Sequence, residues 1–246
     1  MTNAWWRRRL RNAEPAEAAS VNPDPTKGLV MRVTVIGGHG RTGLLLVRQL
    51  IAARHLVVAT IRNPQHGADL VALGAEPVTL DLTGSNVAEF ASAMSGSDVV
   101  IFAAGSTEGE TSELDRNGTQ LTIAAAEHAG VQRYVAISAI GASTGMATAS
   151  MSDEMQDYYE QKRAAGGLIH ASTLHWTIVE PAELTEDAGI GQVAASLDPL
   201  EPKPIARADV AAFVVAVLDE PKSIGKAIQL AGGSTAITAA LQQALT

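Results

Sequence analysis

The sequence predicts an α/β fold: a doubly wound parallel sheet in a single domain, with a small C-terminal region folded over its cleft. Three observations carry this prediction. From residue 31 onward, seven short β-rich runs alternate with longer helical patterns. The runs are near-continuously apolar rather than alternating, which suits strands covered on both faces. Four glycines also crowd the junction of the first run and the first helix, in "TVIGGHGRTG". Glycine is poor in strand and helix interiors, so the cluster marks a backbone with a special task. Strands joined by single helices cross over right-handedly, which winds such a sheet on both of its faces.

The elements follow in order. "RVTVIG" is the first strand and leads through the glycines into a helix over 41–54. "HLVVATIR" is the second strand, followed by a helix over 64–73; "EPVTL" is the third, with a helix over 86–95. "SDVVIFAAG" and "RYVAISAIG" are the fourth and fifth, with helices over 112–129 and 153–171. "HWTIVEP" is the sixth and "KAIQLAG" the seventh, separated by a helix over 207–218 and closed by one over 235–245. Residues 181–206 carry no clear pattern. They follow the carboxyl end of a strand, where ligands of open α/β sheets bind, and are the expected covering region. Residues 31–246 read as one domain.

Composition narrows the function. A chain of 246 residues with 46% hydrophobic content can bury a full core in one domain. No apolar run approaches the ~20 residues of a membrane span. A net charge of −8 disfavours nucleic acid or an anionic membrane as partner. The absence of cysteine excludes disulfides, thiolate metal sites and cysteine nucleophiles. The six histidines lack metal-ligand spacing, so no metal is expected. Residues 1–30 carry Trp5, Trp6 and four arginines, then an Ala/Glu/Pro-rich stretch without the apolar core of a secretory signal. They read as a disordered tail ahead of Met31. The expectation is a cytoplasmic protein, monomeric or weakly homodimeric, whose partner is a small molecule.

Gly37, Gly40 and Gly43 make G-x-x-G-x-x-G after a strand and at the opening of a helix. That is the setting in which main-chain N–H groups meet a phosphate at a helix N-terminus. Gly37 makes the tight turn, Gly40 lets backbone approach a pyrophosphate, and Gly43 lets helix pack closely on strand. Arg41 and Thr42 belong to the same cradle, and the reading is a Rossmann-type dinucleotide site. The loop lacks the Gly-Lys-Ser/Thr ending of a P-loop, which argues against ATP hydrolysis. The second strand ends in "VVATIRNP" without the carboxylate that would read ribose hydroxyls. Arg62 stands at its tip, where a planar guanidinium suits a 2′-phosphate, with Arg41 as a second cation. NADP(H) is therefore the expected cofactor, and the missing acid also argues against a methyltransferase. Asp81 is positioned to accept from the adenine amino group, with Leu82 packed on the ring. Ala103, Ala104 and Gly105 would let the dinucleotide lie close over the sheet edge. His39, inside the glycine loop, is expected to face solvent.

Residues 31–245 resemble the short-chain dehydrogenase/reductase superfamily, in its atypical single-domain branch that includes NmrA-like and biliverdin reductase B-like proteins. The likeness rests on "GGHGRTG", "TIRNP", "LDLTG" and "FAAG", and above all on three long segments. These are "ELDRNGTQLTIAAAEHAGVQRYVAISAIGAS", "YYEQKRAAGGLIHASTLHWTIVEP" and "IARADVAAFVVAVLDEPKSIGKAIQLAGG". Such proteins bind NAD(P)(H) on a parallel sheet; many reduce carbonyls, quinones or tetrapyrroles, and some only sense the cofactor. The resemblance implies a Tyr-x-x-x-Lys pair, here Tyr158 and Lys162, one helical turn apart on one face. Lys162 would bond the nicotinamide ribose and lower the Tyr158 pKa, and Tyr158 would donate a proton to a carbonyl oxygen as hydride arrives. Ser138, closing "RYVAIS", would hydrogen-bond the same oxygen. Tyr159 with Arg163 is a competing register, less suited because a guanidinium is bulkier and always charged.

Three features depart from the family pattern. Position 139 is Ala where a second serine is frequent. Glu180, Pro181 and Ala182 stand where relatives commonly read Arg-Pro-Gly, and a carboxylate there would repel an acidic substrate or change how the nicotinamide end is held. The segment "STGMATASMSDEMQ" before the Tyr helix looks flexible. Two functions stay open: an NADPH-dependent reductase of a small carbonyl- or quinone-like substrate, and a redox sensor or partner-binding module that holds NADP without turnover.

Overall fold

The computed structural model describes residues 29–105, 113–145 and 148–246. The expected disordered tail lies outside the described residues up to residue 28, as do residues 146–147 of the segment before the Tyr helix. The first half of the chain runs β1 (Arg32–Ile36), α1 (Arg41–Ala52), β2 (Leu56–Ile61), α2 (Gly67–Leu73), β3 (Glu76–Thr79), α3 (Val87–Met94), β4 (Val99–Phe102) and α4 (Glu113–Ala129). The second half runs β5 (Arg133–Ile137), α5 (Asp153–Ala171), β6 (His175–Pro181), β7 (Leu184–Thr185), β8 (Gln192–Ser196), β9 (Ile205–Ala206), α6 (Arg207–Leu218), β10 (Lys226–Gly232), β11 (Thr235–Ala236) and α7 (Ile237–Ala244).

The main sheet has the order β11-β8-β10-β6-β5-β4-β1-β2-β3. The seven strands expected from sequence are β1–β6 and β10, and all pair in parallel. The fold class is thus a mostly parallel, doubly wound α/β sheet. Three local expectations need correction. Residues 181–206 are not patternless covering: β8 inserts antiparallel beside β10, and a two-residue pairing of β7 with β9 closes the segment on itself. The last helix begins later than expected, because Thr235 and Ala236 first pair with β8. The expected helix over 64–73 opens as a 3-10 turn over Pro64–His66, with Asn63 accepting from the Gln65 N–H, and only then becomes α2.

Period-two alternation divides the strands between two cores. Val33, Val35, Val57 and Ala59 join Leu46 and Leu50 of α1 and Phe213 of α6 on one face. Val100, Phe102, Tyr134 and Ala136 join Phe90 of α3, Ala126 of α4 and Ile169 of α5 on the other. Burying each large apolar side chain contributes about 1.5–3 kcal/mol. Truncating fully buried Phe213 to alanine would cost about 3–5 kcal/mol. Local signals set where the helices start. Asn86 and Glu89 form a reciprocal capping box on α3, and Ser152 caps α5 through the Met155 N–H. Because β1 lies between β2 and β4, the chain leaves the sheet in opposite directions on either side of it. A cleft opens there at the carboxyl ends of the strands.

Candidate functional site

The cleft has a volume of about 650 Å³ and is lined from the ends of β1 through β5, within the range of small-molecule sites. Its floor is the glycine loop. Gly37 adopts φ +79, and its N–H donates to Thr60 Oγ1 at 3.2 Å. A Cβ on Gly37 would come within 2.9 Å of the Ala104 backbone, so the loops after β1 and β4 touch. A Cβ on Gly43 would lie 2.1 Å from the Gly37 carbonyl oxygen, which explains close packing of helix on loop. Gly40 differs. It has φ −62, meets only the Gly37 oxygen at 3.2 Å, and lines the cleft. Neighbouring protein explains Gly37 and Gly43, whereas at Gly40 the missing side chain leaves room for a ligand to approach, its own N–H already donating to the Gly37 oxygen at 3.0 Å. No side chain caps α1, so its first-turn N–H groups present partial positive charge to the cleft. Gly43 is not itself among the lining residues; Gly37, Gly40, Arg41 and Thr42 are.

At one end the cleft is lined by Arg62, Asp81 and Leu82. Asp81 Oδ1 accepts from the Thr83 N–H at 3.0 Å and the Thr83 hydroxyl at 2.9 Å. The Thr83 N–H holds its carboxyl below the ordinary value, burial opposes this, and the Thr83 hydroxyl and Arg62 lower it further. The Asp81 carboxylate therefore already shapes its own turn, in addition to facing the site. His39 does not simply face solvent. Its ring stacks on His66 at 3.9 Å, its Nε2 lies 2.9 Å from Asp69 Oδ2, and both imidazoles line the cleft.

The cleft wall formed by β4, β5 and α5 brings together Ala103, Ala104, Gly105, Ser138, Tyr158 and Lys162. The competing register is turned away. Tyr159 is buried against Ala139 and Ala142, and neither it nor Arg163 lines the cleft. Lys162 Nζ stands 5.4 Å from the Tyr158 ring centroid and donates to Asp115 Oδ1 at 3.0 Å. Burial works against the Lys162 ammonium, yet the Asp115 carboxylate, aided by Tyr158, raises its pKa above the usual lysine value. An ammonium has three donors, so the bond to Asp115 is compatible with another to a ribose hydroxyl. Gly105 lies beside this pair, and a Cβ there would be at ordinary van der Waals distance from Asp115 Oδ1 and Lys162 Nζ.

Glu180 is corrected outright. Its carboxylate is 1% exposed and lies off the cleft, with Oε1 accepting from the Ser143 N–H at 2.8 Å and hydroxyl at 2.6 Å. Burial raises its pKa, and the Ser143 bonds oppose the rise. It straps down the loop after β5.

The remaining wall comes from residues that the sequence left unassigned. Arg207, first residue of α6, and Leu184 also line the cleft, with Arg207 Nη1 donating to Thr42 Oγ1 beside the glycine loop. Glu186 Oε1 accepts from Arg207 Nε at 2.8 Å and from Arg41 Nη1 at 3.2 Å. Asp209, two residues on, accepts from the Ile190 and Gly191 N–H groups at 3.0 and 2.8 Å, tying the covering segment to α6. "RADVA" stood out in the sequence, and it is an anchor with one cleft-facing arginine. Asp115 lies in another of the segments that stood out, but its role was not legible, since an acid in a helical pattern reads as surface. Among the described residues no group of three or more metal-ligating side chains is gathered, and no helix is long and apolar enough to cross a membrane.

Comparison with known proteins agrees with the fold. Residues 37–221 match the profile of a family described as NAD(P)H-binding. The chain is 36% identical, over 87% of its length and all of the relative's, to a Bacillus subtilis protein named an uncharacterized sugar epimerase. Among solved structures it is similar to a Bacillus halodurans protein whose name places it provisionally among NAD-dependent epimerases/dehydratases, with a TM-score of 0.78, 30% identity, and 87% of this chain and 99% of that one covered. It is likewise similar to the oxidoreductase YlbE of Lactococcus lactis, with a TM-score of 0.78 and 27% identity over 87% of this chain and 97% of that one.

Proposed function

The chain belongs to the NAD(P)H-binding family, and from that premise we propose that it is an NADPH-dependent reductase of a small carbonyl- or quinone-like substrate, in the atypical branch beside NmrA-like and biliverdin reductase B-like proteins. The observation that carries this reading is one cleft that joins the glycine loop and Arg62 to Tyr158, Lys162 and Ser138. When bound, NADPH supplies a hydride. Arg62 meets the 2′-phosphate with a charge-assisted fork. The uncapped α1 N-terminus would receive the pyrophosphate, which the missing Gly40 side chain lets come close. Asp81 and Leu82 flank the adenine, and Ala103, Ala104 and Gly105 leave room for the dinucleotide over the sheet edge. Ser138 and Tyr158 hold the substrate oxygen, and the Tyr158 hydroxyl gives it a proton. Lys162, kept charged and in place by Asp115, orients Tyr158 and the nicotinamide ribose.

A second reading, a sensor that holds NADP without turnover, is favoured by one observation: the Lys162 ammonium already has a counter-charge in Asp115. The names of the relatives add epimerisation, which returns its cofactor unchanged at each cycle. Following NADPH absorbance with simple quinones and aldehydes as probes separates these. A reductase consumes one NADPH per quinone or carbonyl reduced. Tight NADPH binding without consumption by any probe would contradict the reductase reading.

A further inference from the structure

Arg41, Glu186 and Arg207 come from the glycine-loop helix, the covering segment and the start of α6, yet they converge on one carboxylate oxygen. Arg207 is held firmly: its side chain is 11% exposed, and its Nη1 donates to Thr42 Oγ1 at 3.4 Å in the first turn of α1. Two guanidinium groups thus stand at the uncapped N-terminus of α1, beside Gly40 with its missing side chain, all in the same cleft. Arginine forks and a helix N-terminus together suit a doubly charged pyrophosphate bridge better than a lone carboxylate oxygen. The carboxylate now bridging them belongs to a side chain that is 63% exposed and easily moved.

We propose that Arg207 and Arg41 clamp the pyrophosphate of the dinucleotide, and that Glu186 is a resident anion which the pyrophosphate displaces. This rests on the cofactor reading above and adds Arg207 and Glu186 to it, both outside the glycine motif. Glu186 lowers the affinity for every pyrophosphate-bearing ligand by the same factor, since it competes for what those ligands share. Displacing it also releases one of the ties between the covering segment and α1, so cofactor occupancy loosens that segment. Arg62 acts differently: it separates NADPH from NADH, whereas the clamp treats them alike.

The test titrates the full chain with NADPH, NADH, ADP and adenosine 2′-monophosphate, in the native protein and in Glu186→Gln, Asp187→Asn and Arg207→Ala. Exposed ion pairs contribute little to stability, so Glu186→Gln should melt like the parent. It should bind NADPH, NADH and ADP about 3- to 10-fold more tightly, by a common factor, as loss of two weak competing pairs implies. Adenosine 2′-monophosphate, which lacks the pyrophosphate, should bind unchanged. Asp187→Asn removes the same charge from the adjacent exposed position and should change nothing. Arg207→Ala should weaken the three pyrophosphate ligands about tenfold or more; should it fail to fold, the Glu186→Gln arm still decides. If Glu186→Gln leaves affinity unchanged or weakens it, or if Asp187→Asn tightens binding equally, the clamp proposal is overturned while the cofactor reading stands. If the native protein binds none of the dinucleotides, the cofactor reading itself falls.

Discussion

Replacing Asp115 by asparagine removes one charge from a pair that lies almost wholly out of water. Lys162 Nζ and Asp115 Oδ1 are 3.0 Å apart, with side chains 8% and 1% exposed. The amide preserves shape, so no cavity opens and the effect is electrostatic. Leaving one partner of a buried pair uncompensated costs about 3–5 kcal/mol. At about 2–4 °C per kcal/mol for a chain of this size, the melting temperature should fall by roughly 6–20 °C at pH 7. The pH dependence has a definite sign. In the parent, Lys162 keeps a raised pKa against the penalty of burial because Asp115 stands beside it. That contribution is complete below the unfolded lysine value of ~10.4 and disappears as pH rises through the folded one. In Asp115→Asn burial acts without that counter-charge, the folded pKa falls below ~10.4, and the destabilisation is largest at neutral pH and shrinks toward pH ~10. Thermal melts followed by circular dichroism at pH 7 and 9.5 measure this. Adding Lys162→Met to Asp115→Asn should restore much of the loss, because an apolar side chain needs no counter-charge. A loss below about 1 kcal/mol at pH 7, or no recovery with methionine, would refute the reasoning.

Three further outcomes follow from the same geometry. Gly43→Ala forces a Cβ to within 2.1 Å of the Gly37 oxygen and should lower stability in thermal melts by an overpacking cost of about 1–3 kcal/mol or more; Gly40→Ala, with its one close neighbour at 3.2 Å, should lose less stability than Gly43→Ala yet lose NADPH affinity. Tyr158→Phe should reduce kcat on any accepted carbonyl or quinone by ~10²–10⁴-fold with NADPH affinity unmoved, and near-native turnover would make the tyrosine scaffold. Arg62→Ala should narrow the difference between NADPH and NADH in a binding titration, and an unaltered ratio would mean another group reads the 2′-phosphate.

The parallel strands were legible because β1, β2, β4 and β6 are dense in Val, Ile and Thr and bounded by loop signals. β8 was not. "QVAAS" has one large apolar residue, and it is a strand because β10 and β11 flank and pair with it. Tertiary pairing there overrides a weak local preference. Within the cleft, motif residues at fixed local spacing, such as the glycines and the Tyr158/Lys162 pair, could be read directly. Residues whose partners are far away could not. Arg41 and Glu186 are 145 positions apart, and Lys162 and Asp115 are 47 apart. Glu180 misled for another reason: strand position alone does not say whether a carboxylate turns to the cleft or, as here, to Ser143. His39 misled similarly, since its stacking partner His66 arrives from the turn after β2.

The most direct test of the central claim, that this cleft is built for NADPH, is a fluorescence titration of the native protein with NADPH and NADH under identical salt. A charge-assisted bond from Arg62 to the 2′-phosphate contributes about 1.5–3 kcal/mol, so NADPH should bind at least about tenfold more tightly. Equal affinities, or no saturable binding of either dinucleotide, would contradict it.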